Sequence, residues 1–165
     1  MKIVYVHADR EEELNTAIWR CEYPAHALRE AGHEAEVMHW RYLDVDKVLK
    51  DKPDVVVFQR YCWNEAINQI KAFKKAGVVT VYDYDDDYHE INETNTGYKF
   101  WKLGKGNIDG REIDLVPPPP LNWHEWIKDQ VDIVTTPSVH LVQKYGGRLL
   151  ENMPSIRYWK KVIFF

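Results

Sequence analysis

The sequence predicts an α/β fold of three layers, in which helices cover both faces of a mainly parallel sheet. Short apolar runs rich in β-branched residues alternate along the 165-residue chain with segments whose apolar residues recur at helical spacing. Two of the helical segments end at Gly32 and Gly77, and glycine is a typical residue just beyond a helix. Such alternation is typical of parallel strands joined by helical crossovers.

In the first half of the chain, each strand is followed by a loop and a helix. An apolar strand at Lys2–His7 leads through an acidic loop to a helix that Thr16 can cap and Gly32 ends. Further strands are expected at residues 34–39, 54–59 and 78–82, with helices at residues 43–49 and 64–76. Asp44 or Asp46 is expected to introduce the first of these two helices.

The second half begins with a segment, about residues 89–120, for which the sequence predicts no regular structure. It contains four glycines and ends in four consecutive prolines, yet it also carries aromatic residues. We therefore expect an irregular, mobile flap that closes over a ligand. The remaining elements are expected as helices at residues 122–129 and 138–145 and as strands at residues 132–136 and 148–150.

Connection rules convert this element order into a topology. Crossovers between parallel strands are right-handed in nearly all proteins, so the strands are expected to be parallel. We predict the strand order 3-2-1-4-5-6, with its reversal between the first and the fourth strand. The composition does not change along the 165 residues, which are therefore expected to form a single domain.

The most informative feature for function is an acidic run directly after the fourth strand. Asp83, Asp85, Asp86 and Asp87 lie where a buried strand opens into solvent, at the sheet edge where ligands of such folds bind. Carboxylates this close together must stay hydrated, share protons, or meet a cation or a hydrogen-bonding ligand. The alternative is a solvated acidic turn. We predict no tightly held metal, and the run allows only a weakly bound Mg²⁺ or Mn²⁺.

Cations and aromatic residues complete the candidate site. The loop after the first strand lacks the glycines of a dinucleotide-binding loop, so an anionic ligand needs specific cations, for which Arg10, Arg20 and Arg60 are candidates. Two of these arginines can instead have a structural role, Arg20 on a helix surface and Arg60 in an ion pair with the acidic run. His89 follows the aspartates, and Trp101 offers a ring face for a sugar, although core packing is as common a role.

Composition excludes several classes of protein. The formal charge is −4 and no long basic tract occurs, so the sequence argues against nucleic acid as a partner. The two cysteines, Cys21 and Cys62, lack metal-ligand spacing, and no run of apolar residues is long enough to span a bilayer. We expect a cytoplasmic protein in a reducing compartment, without a signal segment.

Four motifs, in this order and spacing, resemble a known family. They are AGHE at residues 31–34, QR at residues 59–60, VYDYDDD at residues 81–87 and DIVTTPS at residues 132–138. Together they resemble the amino-terminal Rossmann-like domain of a group 1 glycosyltransferase with the two-domain GT-B architecture. Residues 151–165 are similar to the start of the linker that leads such enzymes into their second domain.

The resemblance implies sugar transfer from a nucleotide-sugar donor to a carbohydrate or other acceptor, with the acceptor bound by this half. It implies catalytic roles for Asp83 and Asp85, and substrate-binding roles for the residues Arg20, Arg60, Asp86, Asp87, His89 and Trp101. The chain departs from the family because it reaches Phe165 before a donor-binding domain, so we expect a missing second domain, a partner copy in a homo-oligomer, or a fragment. Tyr82 and Asp83 also replace the histidine and aspartate of many relatives.

Two other classes compete with this interpretation, and whether the chain is an enzyme by itself stays open. A non-catalytic Rossmann-type binding module fits the lack of a donor-binding half. A phosphatase of the haloacid dehalogenase type is suggested by Asp83 and Asp85 after an apolar strand. That family needs a small residue and then threonine or valine at the next positions, where this sequence has Asp86 and Asp87.

Overall fold

A computed structural model describes residues 1–9, 16–108 and 110–152. Its centre is a parallel sheet of six strands, and two further strands form a separate antiparallel hairpin. The sheet strands are β1 (Lys2–His7), β2 (Glu34–His39), β3 (Val55–Gln59), β4 (Val79–Asp83), β7 (Ile133–Thr136) and β8 (Arg148–Leu149), and the hairpin strands are β5 (Lys105–Ile108) and β6 (Arg111–Asp114).

The helices match most of the predicted positions and caps. They are α1 (Tyr23–Glu30), α2 (Val45–Lys50), α3 (Asn64–Lys75), α4 (Tyr98–Leu103), α5 (Pro120–Lys128) and α6 (Val139–Tyr145). Asp44 caps α2 and Ser138 caps α6 through their side-chain oxygens. The first helical segment differs from the prediction, because a π-helical turn at Ile18–Glu22 precedes α1, and its start is bonded by Asp9 instead of Thr16.

The sheet is parallel throughout, as predicted, but the predicted strand order is wrong in the position of β3. The observed order is β2-β1-β3-β4-β7-β8, so β3 lies between β1 and β4 and does not flank β2. The reason is burial: Val56, Phe58 and Gln59 of β3 are fully buried, as a central strand requires. Strand β2 has one buried residue, His39 at its end, and its other residues are exposed or partly buried, which suits an edge. The order therefore reverses at β1, between β2 and β3.

Helices lie on both faces of the sheet, which gives the predicted three layers. On one face, α2, α3 and α5 pack on β1, β3 and β4 through residues such as Val48, Ile70 and Ile127. On the other face, α1 and the turn before it pack on β1 through Cys21 and Ala25. None of the helices in the described part of the chain has the length and apolar character that a bilayer crossing requires.

The segment at residues 89–120 is not irregular throughout, contrary to expectation. It contains α4 and the β5–β6 hairpin, and Gly104, in the left-handed region at φ 63°, ends α4. Trp101 anchors α4 to the body of the domain because its ring packs on Tyr88 and Cys62. The mobility of this segment stays a prediction. Arg10 and residues 153–165, which make up most of the segment expected to start a linker, lie outside the described residues.

Candidate active site

The candidate site lies at the carboxyl edge of the sheet, where neighbouring strands end side by side. The strand register places His7 of β1 opposite Gln59 of β3, and Gln59 opposite Asp83 of β4. Asp9 and Arg60, just beyond β1 and β3, therefore lie at the same edge as the acidic run. Ligands of open α/β sheets bind at this edge, next to the reversal of strand order.

Asp83 and Arg20 form a buried ion pair on the α1 side of this edge. The Arg20 Nε donates to Asp83 Oδ2 at 2.7 Å, and a second guanidinium nitrogen donates to Asp83 Oδ1. The two residues are only 1% and 3% exposed. Thr135 Oγ1 also donates to Asp83 Oδ1 at 2.7 Å. Burial alone would lower the pKa of Arg20, but the hydrogen bonds and charge of Asp83 outweigh it and raise this pKa.

Arg20 also holds the chain beyond β8. Its Nη1 donates to the backbone oxygen of Leu150 at 2.5 Å and to Asn152 Oδ1 at 2.9 Å. One guanidinium therefore joins the helical turn before α1, the end of β4 and the segment that follows β8. This geometry makes Arg20 and Asp83 a bracing pair for the edge of the sheet.

A second network surrounds Asp85 at the same edge. Arg60 Nε lies 2.8 Å from Asp85 Oδ2, and Arg60 Nη1 donates to Asp9 Oδ1 at 3.1 Å. Tyr88 donates its hydroxyl to Asp85 Oδ1 at 2.9 Å, and Gln59 Nε2 is 3.3 Å from Asp85 Oδ2. Arg60 reaches these partners from a left-handed backbone conformation with φ 56°, which is uncommon for a residue other than glycine.

Asp85 is the carboxyl group best suited to proton transfer in this site. Burial raises its pKa to about 6, Arg60 and Tyr88 oppose this rise, and the charges of Asp83 and Asp9 add to it. A carboxyl group with a pKa near the working pH is a competent general base or acid. Its side chain is 1% exposed, so a substrate reaches it only when the residues above it move.

The outer part of the acidic run lies at the surface and has other partners. Asp86 is exposed, whereas Asp87 accepts a hydrogen bond from Lys144 at 2.7 Å and another from Tyr145. Burial alone would raise the pKa of Asp87, but the hydrogen bonds from Lys144 and Tyr145 outweigh it and lower this pKa. His89 Nε2 lies 3.0 Å from Glu125 Oε1. These residues form an outer rim, separate from the buried pairs.

Aromatic residues cover the Asp85 network. The ring centroids of Tyr88 and Trp101 are 3.9 Å apart, and Trp101 is 8% exposed, so one of its faces is covered. His124 packs beneath them and bonds the hydroxyl of Tyr82 through Nδ1. Burial lowers the pKa of His124 to about 3, which keeps this imidazole neutral.

The structure thus divides the sequence-predicted site residues into groups. Asp83 with Arg20 and Asp85 with Arg60 form two buried pairs, Asp86, Asp87 and His89 belong to the outer rim, and Trp101 lies in the aromatic cover. Sequence reasoning missed Asp9, Tyr88 and His124. Asp9 stands in the loop that the topology points to, but no local pattern distinguishes Tyr88 or His124, which join the site only through folding.

No site for a tightly held metal is visible among the described residues. They contain no group of three or more histidine, cysteine, aspartate or glutamate side chains that could hold a metal ion. Instead, the carboxylates of Asp83, Asp85 and Asp87 are matched by guanidinium or ammonium groups. These pairs already supply much of the neutralising charge that a weakly bound Mg²⁺ or Mn²⁺ would provide.

The parallel sheet with helices on both faces makes this chain a Rossmann-like α/β domain. No protein-family model matches the sequence, and no curated protein does. Distantly similar solved structures include the cystathionine gamma synthase from Xanthomonas oryzae pv. oryzae in complex with aminoacrylate and cysteine. It shares 14% identity over 98% of this chain and 36% of its own, with a TM-score of 0.41.

Two further structures are similarly distant. The glycosyltransferase UGT73P12 from Glycyrrhiza uralensis, complexed with glycyrrhetinic acid 3-O-monoglucuronide, shares 10% identity over 93% of this chain and 43% of its own, with a TM-score of 0.43. A flavone reductase shares 12% identity over 99% of this chain and 58% of its own, with a TM-score of 0.36. This chain spans 36% to 58% of the length of the three structures. Similarity at this level assigns no function.

Proposed function

We propose that this chain is the acceptor-binding half of a glycosyltransferase that uses a nucleotide-sugar donor. The observation that carries the proposal is Asp85, a buried carboxyl group with a pKa of about 6 at the carboxyl edge of a central parallel strand. The motif order at residues 31–34, 59–60, 81–87 and 132–138 supports the same family.

In the proposed reaction, Asp85 is the general base. Its carboxylate takes the proton of an acceptor hydroxyl, and the acceptor oxygen forms a bond to the anomeric carbon of the donor sugar. The bond between that carbon and the nucleotide phosphate breaks, and the nucleotide leaves with the electron pair. A carboxyl group with a pKa of about 6 is largely ionised at neutral pH and retains useful basicity.

The other predicted site residues take supporting roles in this proposal. Arg60 orients Asp85, and the Arg20–Asp83 pair fixes the end of β4. These three residues position the site and do not contact the reacting atoms. Asp86, Asp87 and His89 offer hydrogen-bonding groups to acceptor hydroxyls at the surface. Trp101 and Tyr88 cover Asp85, and movement of the segment at residues 89–120 would admit the acceptor.

The geometry favours this function over the phosphatase alternative. A phosphatase of the haloacid dehalogenase type needs its first aspartate free to attack phosphorus. Here both carboxylate oxygens of Asp83 are bonded to Arg20, and the residue is 1% exposed. A non-catalytic binding module stays the main alternative. That alternative gives no role to the near-neutral pKa of Asp85.

The proposal is tested with the purified chain, UDP-, GDP- and TDP-linked sugars, and three simple acceptor classes: methyl glycosides, 4-nitrophenol and a long-chain alcohol. We expect at least one acceptor to shift the carboxyl ¹³C resonance and the pKa of Asp85. We expect little turnover from the 165 residues alone, because positioning by a donor-binding half is worth about 7–11 kcal/mol of barrier. Assays with and without Mg²⁺ or Mn²⁺ test the weak-cation expectation.

Matched variants separate the site from the scaffold. Asp85→Asn should abolish any residual transfer, whereas Glu36→Gln, an exposed change on β2, should leave both the transfer and the acceptor-induced shift of Asp85 unchanged. Turnover that rises with self-association would support a second copy completing the cleft. Robust turnover by a monomer with weak dependence on Asp85 would contradict the proposal, and so would the absence of any effect of all three acceptor classes.

A further inference from the structure

A groove on the α3 side of the carboxyl edge is separate from the Asp85 network. It has a volume of about 480 Å³, within the usual range of small-molecule sites. We call it the aromatic groove. Its lining residues used below are Trp40, Tyr61, Trp63 and Trp123, with Arg41, Asn64, Glu65 and Gln69 among the polar ones.

The position of the groove follows from the topology. Trp40 lies directly after β2, and Tyr61 and Trp63 lie in the loop between β3 and α3. Arg60, in the same loop, belongs to the Asp85 network, so one short loop contributes to both sites. Pro118 and Pro120 form part of the groove wall on the side of α5.

The aromatic rings form a continuous, pre-packed surface. The ring centroids of Trp40 and Trp63 are 5.4 Å apart, and Trp40 stacks on Tyr61 at 5.9 Å. Tyr61 is fixed in turn, because its hydroxyl donates to Gln69 Oε1 at 2.7 Å. Trp40, Trp63 and Trp123 are each partly exposed, so the groove retains accessible aromatic surface.

Polar side chains line the groove beside the rings. Arg41, Asn64 and Glu65 are exposed and together offer donors and acceptors of hydrogen bonds. Within the described residues, the Nε1 atom of Trp63 is buried and has no hydrogen-bond partner. A small rearrangement that admits a ligand oxygen would satisfy this donor, since a buried N–H group without a partner is costly.

We infer that the aromatic groove is a saccharide-binding site. A sugar ring presents apolar C–H faces, which suit the faces of Trp40 and Trp63, and an edge of hydroxyl groups, which suits Asn64 and Glu65. A hydrocarbon ligand would leave the buried Nε1 donor of Trp63 without a partner. A phosphate-bearing ligand would meet the carboxylate of Glu65 beside the single guanidinium of Arg41, and no other charged residue is among those described as lining the groove.

This site goes beyond the proposed transfer function, because it rests on the groove and not on the chemistry of Asp85. It assigns roles to Trp40, Asn64 and Glu65, which lie outside the sequence motifs. It also gives the loop between β3 and α3 two functions, with Arg60 holding the base and Trp63 holding a sugar chain beside it.

The test is a titration of the complete chain with neutral tetrasaccharides: maltotetraose, cellotetraose, chitotetraose and mannotetraose. Calorimetry measures affinity, and the indole N–H resonances of ¹⁵N-labelled tryptophan report the location. We expect at least one saccharide to shift the resonances of Trp40, Trp63 or Trp123. Trp63→Ala should weaken that affinity by about tenfold or more, as expected for loss of one aromatic stack.

Variants keep the inference falsifiable if Trp63→Ala destabilises the fold. The exposed double change Asn64→Ala with Glu65→Ala should also weaken binding. Trp19→Ala, on the helical turn before α1, and Asp85→Asn should leave it intact, and retention in Asp85→Asn separates this inference from the proposed function. The inference is overturned if no tetrasaccharide binds or if Trp19→Ala weakens binding as much as Trp63→Ala does.

Discussion

The two halves of the acidic run, one buried and one near the surface, lie in different chemical environments. Asp83 and Asp85 are enclosed with arginines, whereas Asp86 and Asp87 lie at or near the surface and Asp87 pairs with Lys144. Five consecutive positions therefore contain three kinds of aspartate. Asp83 braces the sheet edge, Asp85 has a pKa near neutrality, and Asp86 and Asp87 belong to the outer rim. Burial and partner type, and not the residue type, set the role of each aspartate.

The difference has an energetic side. Breaking a buried ion pair leaves an uncompensated charge in a medium that solvates it poorly, whereas an exposed pair is screened and contributes little. The inner pairs should therefore control stability and the pKa of Asp85, and the outer rim should tolerate change. The following experiments test this contrast, in order of decreasing effect.

The largest effect is expected from Arg20→Leu. Asp83 would then be buried without its cation, and the bonds from the guanidinium to Leu150 and Asn152 would be lost. We expect a loss of about 3–5 kcal/mol in the free energy of unfolding, measured by urea titration. The double variant Arg20→Leu with Asp83→Leu should recover part of it. A loss no greater than that of Lys144→Ala would contradict the contrast.

The pH dependence of stability isolates Asp85. Burial raises its folded pKa to about 6 from 3.8, so the folded state holds this proton more strongly than the unfolded chain. The contribution of Asp85 to the free energy of unfolding is therefore greatest below pH 3.8. It falls as pH rises from about 4 to 6 and stays low above that range. The change amounts to about 3 kcal/mol.

Urea titrations of the unmodified chain and Asp85→Asn between pH 4 and pH 7 measure this effect. As pH rises, the unmodified chain should lose stability relative to Asp85→Asn, because the asparagine side chain does not ionise. Other titrating groups cancel in the difference between the two proteins. A flat difference, or one of opposite sign, would show that Arg60 and Tyr88 compensate the burial of Asp85 fully.

Removing the cation beside Asp85 should change its pKa more than it changes the fold. Arg60→Gln removes the positive charge 2.8 Å from Asp85 Oδ2 and should raise the pKa of Asp85 by about one to three pH units. Carboxyl ¹³C shifts during a pH titration measure this directly. Arg41→Gln, on the aromatic groove, is the matched control, and a pKa equal in the two variants would remove Arg60 from its proposed role.

The smallest effect is expected at the outer rim. Lys144→Ala removes an exposed ammonium group that bonds Asp87 and Glu90, and the released carboxylates remain in contact with water. We expect unfolding curves close to those of the unmodified chain, with any difference disappearing as salt is added. A large, salt-independent loss of stability would place Asp87 with the buried pairs and undo the distinction between the two halves.

Local sequence patterns were sufficient for most of the fold. The β-branched runs, the caps at Asp44 and Ser138, and the glycines after α1 and α3 are decided by interactions within a few residues. The acidic run was placed correctly at the end of β4 for the same reason. The strand order was not accessible in this way, because it depended on how completely β3 is buried relative to β2, a property of the assembled sheet.

By itself, the sequence determined the fold class, most strand and helix positions outside residues 89–120, and the placement of the acidic run at the carboxyl edge, since these follow from short-range periodicity and connection rules. Only the tertiary structure decided that Arg20 pairs with Asp83 across 63 positions and that Arg60 and Tyr88 enclose Asp85. It also assembled Trp40, Trp63 and Trp123 into one groove. The physical reason is that burial and charge pairing depend on every element packed around a residue, and sequence neighbours supply few of those contacts.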